Sequence, residues 1–409
     1  MTRDADVLVI GAGPAGSSLA LHLARRGFSV VIADKKAFPR HKPCGEFLSP
    51  ECRPYFSELG LDDELHRLHV RKVYGMTLHA DGATAPGRFF ALPKAPYNEA
   101  GYAIRREVLD TAMIRAAAEK PEVTWLERHE FRSLLRAADG TVEGAVLRDP
   151  SGADRNLRAR FTVAADGVHS RVARELSLQE PIRWLDRLAL VGRFQGVAEK
   201  PGAEVHFVPG GYFAATTVDD GSFHLNLLTD RSALRGRDGD VDAFVQQHIE
   251  AAPALAQRLV GAQRLDPWRG IGPLAFRTRR QTVPGAALVG DACGYVDPLT
   301  GEGIFFALHG SRSLADAIEQ SAVAPKATER AMRAYEARRR AEIGPRMALA
   351  ALIQRGMRHP RLVRWVIGAL AQKPRLCDLL VNLTGDALHP RDLLSPSFWR
   401  DWRRARQPA

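Results

Sequence analysis

The sequence predicts an α/β fold that continues into an antiparallel sheet and ends in a helical segment. Apolar runs at residues 6–10 and 29–33 flank a segment with helical periodicity, which is typical of two buried strands joined by a helix. Between residues 187 and 228, apolar and polar residues alternate with the two-residue period of an antiparallel sheet. Residues 326–409 carry apolar side chains at helical spacing, so we expect helices there.

Composition excludes several classes of protein. The chain has 409 residues, of which 45% are hydrophobic and 26% charged, so we expect one large or two joined globular domains rather than a disordered or fibrous protein. No apolar run reaches the roughly 18 to 20 residues of a membrane-spanning helix and no signal peptide is predicted, so we expect a cytoplasmic protein. The four cysteines have no CxxC spacing, so neither a disulfide framework nor a metal site is expected.

Positive charge is concentrated in the last part of the chain. The net charge is +11, and residues 326–409 contain 18 Lys and Arg against 7 Asp and Glu, so this segment carries the whole excess. No nucleic-acid-binding motif accompanies the charge, so we expect no nucleic acid partner and favour a solvated, arginine-rich helical face. Residues 398–404 mix tryptophan with arginine, which suits peripheral contact with a membrane, although we favour tryptophans packed on the core.

A glycine-rich turn follows the first predicted strand. Gly11 allows the tight turn, Gly13 lets the backbone approach a pyrophosphate, and Gly16 lets the helix pack closely on the sheet. The amino terminus of that helix presents free N–H groups to phosphate oxygens. Asp34 lies 18 residues after Gly16, at the end of the second strand, where it can accept hydrogen bonds from a ribose. The pattern predicts a Rossmann-like dinucleotide-binding unit.

Two further segments narrow this prediction. One strand ends in Asp166-Gly167, and a later strand ends in Gly290-Asp291 before a helix that begins near Gly301. With the glycine-rich turn, in this order and spacing, they resemble the glutathione-reductase-type FAD fold. Over residues 1–325 the sequence is similar to single-component flavoprotein hydroxylases and geranylgeranyl reductases.

The resemblance implies FAD as the cofactor and assigns roles to residues. Arg106 would reach the flavin-side phosphate or the ribityl chain, and Asp291 would bind the ribityl hydroxyls. The backbone of 301–304 would lie against the pyrimidine edge of the flavin ring, where a helix amino terminus stabilises negative charge. For Asp166, a role in the turn alone is the alternative. The predicted cofactor-binding residues are Gly11, Gly13, Ala15, Gly16, Asp34, Arg40, Cys44, Gly45, Arg106, Asp166, Gly290, Asp291, Pro298, Gly301, Gly303 and Ile304.

The loop after the ribose-binding strand supplies the catalytic candidates. Pro43-Cys44-Gly45 resembles the Pro-Cys-Gly loop of geranylgeranyl reductases, in which the cysteine lies beside the flavin and the substrate. Glu46 replaces the further glycine usual in that family, and a carboxylate beside a flavin can position or exchange a proton. Cys44 and Glu46 are therefore the catalytic candidates. The alternative is a small packed cysteine and a helix-capping acid.

The resemblance also implies a discontinuous domain organisation. The antiparallel sheet would cover the flavin and shape a substrate cavity. We predict that Arg193, His206, Tyr212 and Asn226 line this cavity, although the sequence does not determine the strand register. The predicted division assigns residues 1–75, 98–178 and 275–325 to the FAD-binding domain, 76–97 and 179–274 to the substrate-binding sheet domain, and 326–409 to a C-terminal helical region.

Two activities follow from the resemblance. The first is an FAD-dependent monooxygenase that hydroxylates or epoxidises an apolar or aromatic small molecule through a flavin C4a-hydroperoxide, with NAD(P)H as a transient electron donor or an external reductase. The alternative is reduction of a C=C bond in an isoprenoid or lipid-like substrate, which the cysteine loop and residues 298–304 favour. The segment after Tyr212 lacks the Trp and Pro of the reductase motif, and the Trp-x-Trp-x-Ile-Pro motif of flavin halogenases is absent. A non-catalytic flavin-fold binding protein is a remote third.

Overall fold

The computed structural model of the chain describes residues 3–90, 99–234, 240–321, 325–385 and 387–404. The end of the predicted segment 76–97, from residue 91 onward, lies outside the described residues. The same holds for residues 405–409 of the predicted helical region.

The first part of the chain alternates strands with helices. The strands β1 and β2 are almost wholly buried, as expected for apolar runs covered on both faces. The strands are β1 Ala5–Ile10, β2 Val30–Asp34, β3 Phe47–Leu48, β4 Arg71–Val73, β5 Gly75–Ala80, β6 Ala83–Arg88, β7 Gly101–Ala103, β8 Val123–Glu127, β9 Glu130–Arg136, β10 Val142–Arg148, β11 Asp154–Ala164 and β12 Gln179–Pro181. The helices are α1 Pro14–Ala24, α2 Arg53–Glu58, α3 Asp62–Arg67, α4 Arg106–Ala118 and α5 Arg171–Glu175.

The middle part is dominated by long strands, as the alternating pattern predicts. Pro253 begins a new helix shortly after Glu250, so residues 241–258 form two helices. The strands are β13 Arg187–Gln195, β14 Ala203–Val208, β15 Gly211–Thr217, β16 Phe223–Asp230, β17 Gln263–Arg264, β18 Arg269–Ile271, β19 Phe276–Thr278 and β20 Thr282–Val283. The helices are α6 Arg231–Leu234, α7 Val241–Glu250 and α8 Pro253–Arg258.

The last part is mainly helical. Four of its helices begin with proline, whose fixed φ and missing N–H suit the first turn. Among the described helices, none is both long and apolar enough to cross a bilayer. The strands are β21 Ala286–Leu288 and β22 Gly294–Tyr295, and the helices are α9 Gly303–Gln320, α10 Pro325–Met357, α11 Pro360–Ala371, α12 Pro374–Thr384 and α13 Pro396–Arg404.

The first sheet has a parallel core in the order β21-β11-β1-β2-β8. β20 pairs antiparallel with β21, and β10 and β9 extend the sheet beyond β11. Helix α1 lies close against β1 because Gly16 has no side chain; a Cβ there would lie 1.9 Å from the carbonyl oxygen of Gly11. Gly11 itself has a φ of +106°, which a glycine adopts without strain. This architecture confirms the predicted α/β fold class.

The second sheet has the order β17-β13-β16-β15-β14-β5-β6, with β18 also pairing with β13. All these pairs are antiparallel except β14 with β5. Because the β5–β6 segment ends at Arg88 and the next strand of this sheet begins at Arg187, the sheet is assembled from two separate chain segments. Its face with Val191, Ala214 and Leu228 borders a cleft against the loops of the first sheet.

The C-terminal helices cover the β5–β6 end of the second sheet. Helix α12 approaches β6 closely, since a Cβ on Gly87 would lie 2.5 Å from Cγ2 of Val381. Phe398 and Trp402 of α13 pack beside Phe90, and Trp402 is 9% exposed. Of the two tryptophans at residues 398–404, Trp402 is therefore the one that packs on the core, in agreement with the interpretation that these tryptophans pack on the core.

Replacing Trp402 with alanine should lower the free energy of unfolding by about 3 kcal/mol, because a buried aromatic ring leaves a cavity. Trp399 of the same helix is 38% exposed, so Trp399→Ala is the matched control, with an expected loss below about 1 kcal/mol. Denaturant unfolding followed by circular dichroism measures both. Equal losses would contradict the docking of α13 through Trp402.

Candidate active site

A cleft of about 1690 Å³, including its open mouth, lies between the first sheet's loops and the second sheet. It is bordered by the glycine-rich turn, the loop of residues 42–47, and the segment from Gly294 into α9. Of the sixteen predicted cofactor residues, those that line it are Gly13, Ala15, Cys44, Gly45, Arg106, Asp291, Pro298, Gly301, Gly303 and Ile304.

Two guanidinium groups converge at the amino terminus of α1. A Cβ on Gly13 would lie 3.4 Å from Nη2 of Arg40 and 3.8 Å from Nη2 of Arg106. Gly13 has no side chain to cap the helix, so the first N–H groups of α1 face the same space. Helix dipole and guanidinium charge together fit a diphosphate.

Asp110 holds these two arginines in place. The Nε and Nη2 groups of Arg106 donate to the two carboxylate oxygens of Asp110 at 2.7 and 2.9 Å, and Nη1 of Arg40 lies 3.3 Å from Asp110. Burial would lower the pKa of Arg106, but Asp110 and Cys44 outweigh it and raise that pKa above its usual value. Sequence reasoning missed Asp110, although its spacing of four residues from Arg106 on a helix is a recognisable signal.

Asp34 lies at the end of β2, as predicted. Its Oδ2 accepts the N–H of Ala12 at 3.0 Å and its Oδ1 accepts the N–H of Lys36 at 2.9 Å. Each carboxylate oxygen keeps a second lone pair for a ribose hydroxyl. Nε of Arg40 lies 3.7 Å from Asp34, so Asp34 belongs to the same charged network as Arg40 and Asp110.

Asp166 acts in the turn beneath the glycine-rich segment. Its Oδ2 accepts the backbone N–H of Arg171 at 2.8 Å, at the beginning of α5. Burial raises the pKa of Asp166, and its Oδ1 has no hydrogen-bond partner among the described residues. Its place behind Gly11 fits the turn role, which was the alternative interpretation.

The opposite end of the cofactor cleft is shaped by backbone. Gly290 has a φ of +65°, and a Cβ there would lie 2.8 Å from the Cβ of Ala15, so this turn touches α1. The backbone of Gly301 has a left-handed conformation, and a Cβ there would lie 2.6 Å from the ring of Phe47. Oδ1 of Asp291 lies 3.8 Å from the Cβ position of Gly303, the first residue of α9. A flat ring fits such an edge, and the helix amino terminus favours negative charge on it.

Lys42 also lies in the cofactor cleft, and sequence reasoning missed it. Its Nζ lies 2.8 Å from the Cβ position of Gly167, and its neighbours include Asp291 and Arg106. Burial, reinforced by Arg106, lowers the pKa of Lys42. A lone lysine in a loop belongs to no pattern, so only the folded chain shows it among the cofactor residues.

The fold and the cleft define a flavin dinucleotide-binding protein, and comparison with known proteins agrees. Residues 4–347 match the FAD binding domain family, so the chain belongs to this family. Digeranylgeranylglycerophospholipid reductase 1 of Methanothermobacter thermautotrophicus is 30% identical over 359 residues, which are 84% of each chain. Squalene monooxygenase 1,2 of Brassica napus is 32% identical over 172 residues, which are 42% of this chain and 33% of the plant protein.

Solved structures share the whole fold. The myxobacterial chondrochloren halogenase has a TM-score of 0.81 at 24% identity, with 99% of this chain and 96% of that chain covered. At this level of identity the similarity concerns the fold. With the family and its relatives, it identifies the protein as an FAD-dependent oxidoreductase.

The cysteine loop enters the cavity beside the cofactor residues. The Sγ of Cys44 accepts the N–H of Glu46 at 3.4 Å, and Cys44 contributes to the raised pKa of Arg106. Glu46 is 3% exposed, and its backbone is left-handed with a φ of +55°. The Oε2 atom of Glu46 lies 3.1 Å from Nδ1 of His224. Burial raises the pKa of Glu46 to about 8 and lowers the pKa of His224 to about 3. The carboxyl group is therefore protonated at neutral pH.

Strand register decides which predicted lining residues reach the cavity. Asn226 lines it, together with Val191 and Ala214, its partners across the sheet. His206 does not line it; its ring stacks on His79, on the face of β14 opposite to that of Val205. The prediction for His206 is corrected by one position of register.

Two more predicted lining residues are held by other partners. Arg193 pairs with Asp266 at the edge of the sheet and does not line the cavity. Tyr212 is fully buried and donates its hydroxyl to Asp297, which itself borders the cavity. Burial raises the pKa of Asp297 to about 6. Tyr212 thus supports a lining residue rather than lining the cavity.

One group of possible metal ligands occurs in the described residues, namely His79, Glu204 and His206. The imidazole rings are stacked at 4.3 Å with nearly parallel planes. Both oxygens of Glu204 already pair with cations, Lys200 at 2.5 Å and Arg258 at 3.0 Å. Because these two cations repel a metal ion, we interpret the cluster as an ion-pair network.

Arg106→Lys should weaken FAD binding by about 10- to 100-fold, because the lysine cannot keep the two-pronged hydrogen bond to Asp110. The matched control is Arg105→Lys, one residue earlier, where the guanidinium pairs with Asp219 outside the cleft. It should change the dissociation constant less than about threefold. Flavin fluorescence titration of the apoprotein measures both. Equal weakening in the two variants would refute the assignment of Arg106 to the diphosphate site.

Proposed function

We propose that the protein is a monooxygenase that hydroxylates or epoxidises an apolar or aromatic small molecule. The observation that carries the proposal is the apolar wall opposite the cofactor residues, built from strands of the second sheet. Its residues are Met76, Ala189, Val191, Ala203, Val205, Ala214, Leu228, Ile271 and Leu274. Such a wall accepts an apolar molecule and excludes water. FAD, when bound and reduced, supplies the reaction with oxygen.

The chain's own residues bind and orient the cofactor and enclose the cavity for the substrate. Arg40 and Arg106 hold the anionic part of the cofactor, and the backbone at Gly301–Ile304 positions its reactive end against the wall. Met347 and Ala350 of α10 close one side of the cavity. The monooxygenase proposal includes the source of the electrons. They come from NAD(P)H bound transiently over the flavin or from an external reductase.

Cys44 lines the cavity and stabilises the loop of residues 42–47. Its Sγ accepts the N–H of Glu46 at 3.4 Å, which holds this part of the loop next to the cofactor residues. The resemblance that favours the reductase rests on this cysteine loop and on residues 298–304.

Reduction of a C=C bond in an isoprenoid or lipid-like substrate is the second candidate. Similarity to a digeranylgeranylglycerophospholipid reductase over 84% of the chain favours it. Glu46 also favours it, because a carboxyl group protonated at neutral pH borders the cavity and hydride addition to a C=C bond requires a proton.

Stopped-flow absorbance separates the two candidates. The FAD-loaded protein is reduced anaerobically and mixed with oxygen. For a monooxygenase we expect a transient near-ultraviolet absorbance before oxidised flavin returns, and one atom of labelled dioxygen in the product. Cys44→Ala should slow oxygen transfer less than about threefold, since the sulfur acts through the loop.

The opposite result is specific to the reductase. Reoxidation without a transient, together with saturation of a polyprenyl lipid that Cys44→Ala abolishes, would replace the monooxygenase proposal. A protein that retains FAD and performs neither reaction would support the non-catalytic binding protein.

We further propose that the basic C-terminal region contacts an anionic membrane through α10 and α11. From residue 343 to residue 377 the sequence contains seven Lys and Arg and no Asp or Glu. Leu352 is 65% exposed and Trp365 is 70% exposed, and Leu362 between them is 43% exposed. A Cβ on Gly356 would lie 3.8 Å from Leu362, so the two helices meet at this exposed apolar surface. Apolar side chains ringed by arginine suit an anionic lipid interface.

Co-sedimentation with vesicles of phosphatidylcholine and phosphatidylglycerol tests this contact. We expect binding that increases with the anionic fraction and falls about tenfold in the double variant Leu362→Ser, Trp365→Ser, because apolar burial is lost. Val260→Ser is the control, since Val260 is 79% exposed on the turn after α8. Binding that is absent, or equally weakened by the control, would exclude the α10–α11 contact.

A further inference from the structure

Asp297 is a buried acid of the cofactor cleft. Its side chain lines the cleft, the residue is 6% exposed, and it directly precedes the turn Pro298–Thr300 that leads into Gly301. The guanidinium group that lowers its pKa, that of Arg187, pairs instead with Asp230 at 3.5 Å. The negative charge of Asp297 is therefore not neutralised by an ion pair with any residue that the structure describes.

Glu302, the other acid of the segment 297–303, is in a different position. Its Oε1 lies 3.8 Å from Nη1 of Arg346, and both side chains are 3% exposed. Opposite charges this close largely cancel each other's field at a distance, so Glu302 adds little net charge to the edge of the cleft. Asp297 is thus the acid of this segment whose charge a bound cofactor would experience.

Tyr212 holds the carboxyl group of Asp297 in one orientation. The ring of Tyr212 is fully buried in β15, and its hydroxyl donates to Oδ1 of Asp297. The same oxygen accepts the N–H of Leu299 at 2.9 Å. Burial, reinforced by Asp297, raises the pKa of Tyr212 well above its usual value, so the hydroxyl remains a donor. These two hydrogen bonds join the second sheet to the turn before Gly301.

We propose that Asp297, with Tyr212 as its positioning residue, sets the reduction potential of the bound FAD. A negative charge beside the flavin edge opposes the addition of electrons, because the reduced ring carries more negative charge than the oxidised ring. A neutral carboxyl group exerts no such opposition. The inference requires only that the cleft binds FAD, so it applies equally to oxygen transfer and to reduction of a C=C bond.

The effect should appear as Asp297 ionises. Burial raises the pKa of Asp297 to about 6, so the group is mostly neutral at about pH 5 and ionised at about pH 8. The other charged or titratable groups that face it are Tyr212 of β15, Arg187 of β13 and Tyr295 of β22. Burial raises the pKa of both tyrosines well above the usual value, and arginine stays charged. Among these groups, Asp297 is the one that titrates in this range.

Reduction potentials of the FAD-loaded protein at about pH 5 and about pH 8 test the proposal. Xanthine and xanthine oxidase supply two electrons to the FAD and two to a reference dye, and the ratio of reduced forms gives the equilibrium constant. Asp297→Asn keeps an oxygen that can accept from Tyr212 but removes the charge. At about pH 8 the constant for FAD reduction should be about tenfold larger in this variant, which is about 30 mV for a two-electron couple. At about pH 5 the two proteins should agree within about twofold.

Tyr212→Phe tests the positioning role. The hydroxyl stabilises the ionised form of Asp297, so its loss should lower the acid dissociation constant of Asp297 about tenfold. The potential of Tyr212→Phe should therefore depart from that of the double variant Tyr212→Phe, Asp297→Asn near about pH 7. For the wild type and Asp297→Asn, the corresponding departure is expected near about pH 6.

Asp149→Asn is the matched control. Asp149 is 7% exposed, and it accepts the N–H of Ser151, two residues later, at 2.9 Å, as Asp297 accepts that of Leu299. It lies in the turn between β10 and β11 and does not line the cleft. This variant should leave the potential unchanged at both pH values.

The outcomes separate this inference from the proposed reaction. Equal potentials of wild type and Asp297→Asn at about pH 8 would overturn it. So would a difference of the same size at about pH 5, or loss of FAD from the variant, since either result indicates a displaced turn rather than a charge. A departure that stays near about pH 6 in Tyr212→Phe would overturn the role of Tyr212. Failure of the oxygen experiment would remove the monooxygenase proposal and leave these potentials unaffected.

Discussion

The whole site depends on the first turn of α4. There the guanidinium of Arg106 forms two hydrogen bonds with Asp110, which is fully buried and also pairs with Arg40. Two residues before Arg106, Ile104 donates its backbone N–H to the carbonyl oxygen of Glu46 at 3.1 Å, and Cys44 is near enough to help raise the pKa of Arg106. Removing one partner of such a buried pair is expected to cost several kcal/mol, so the turn forces the anion site and the cavity loop into one arrangement. Cofactor binding and substrate positioning are therefore coupled through a single helix terminus.

Charge is separated along the cleft. Guanidinium groups and a helix amino terminus lie at the Gly13 end, while the wall from the second sheet is apolar. Away from water, each electrostatic interaction at the charged end is stronger, and the apolar wall keeps it so. Among the apolar residues of that wall, the polar side chains that line the cavity are Glu204, Thr216 and Asn226, and Glu46 lines it from the loop of residues 42–47.

The first half of the site could be predicted because its residues are close in sequence. The glycine-rich turn and Asp34 belong to one strand-helix-strand unit, whose geometry follows from local spacing. The second sheet could be predicted as a set of strands, but not which side chains face inward. From the sequence, His206 and Asn226 were equal candidates. The register of the strands placed Asn226 in the cavity and His206 outside it, because a register shift of one residue moves every side chain to the opposite face of the sheet.

The sequence by itself determined the Rossmann-like unit, the glycines of the phosphate turn and the basic C-terminal region, because each follows from neighbouring residues or from composition. The tertiary structure alone decided that Lys42 enters the cofactor cleft, that Asp110 joins two arginines, and that His224 meets Glu46. These contacts join segments from different strands, loops and helices. Their formation depends on how the sheets pack and register, which local sequence patterns do not encode.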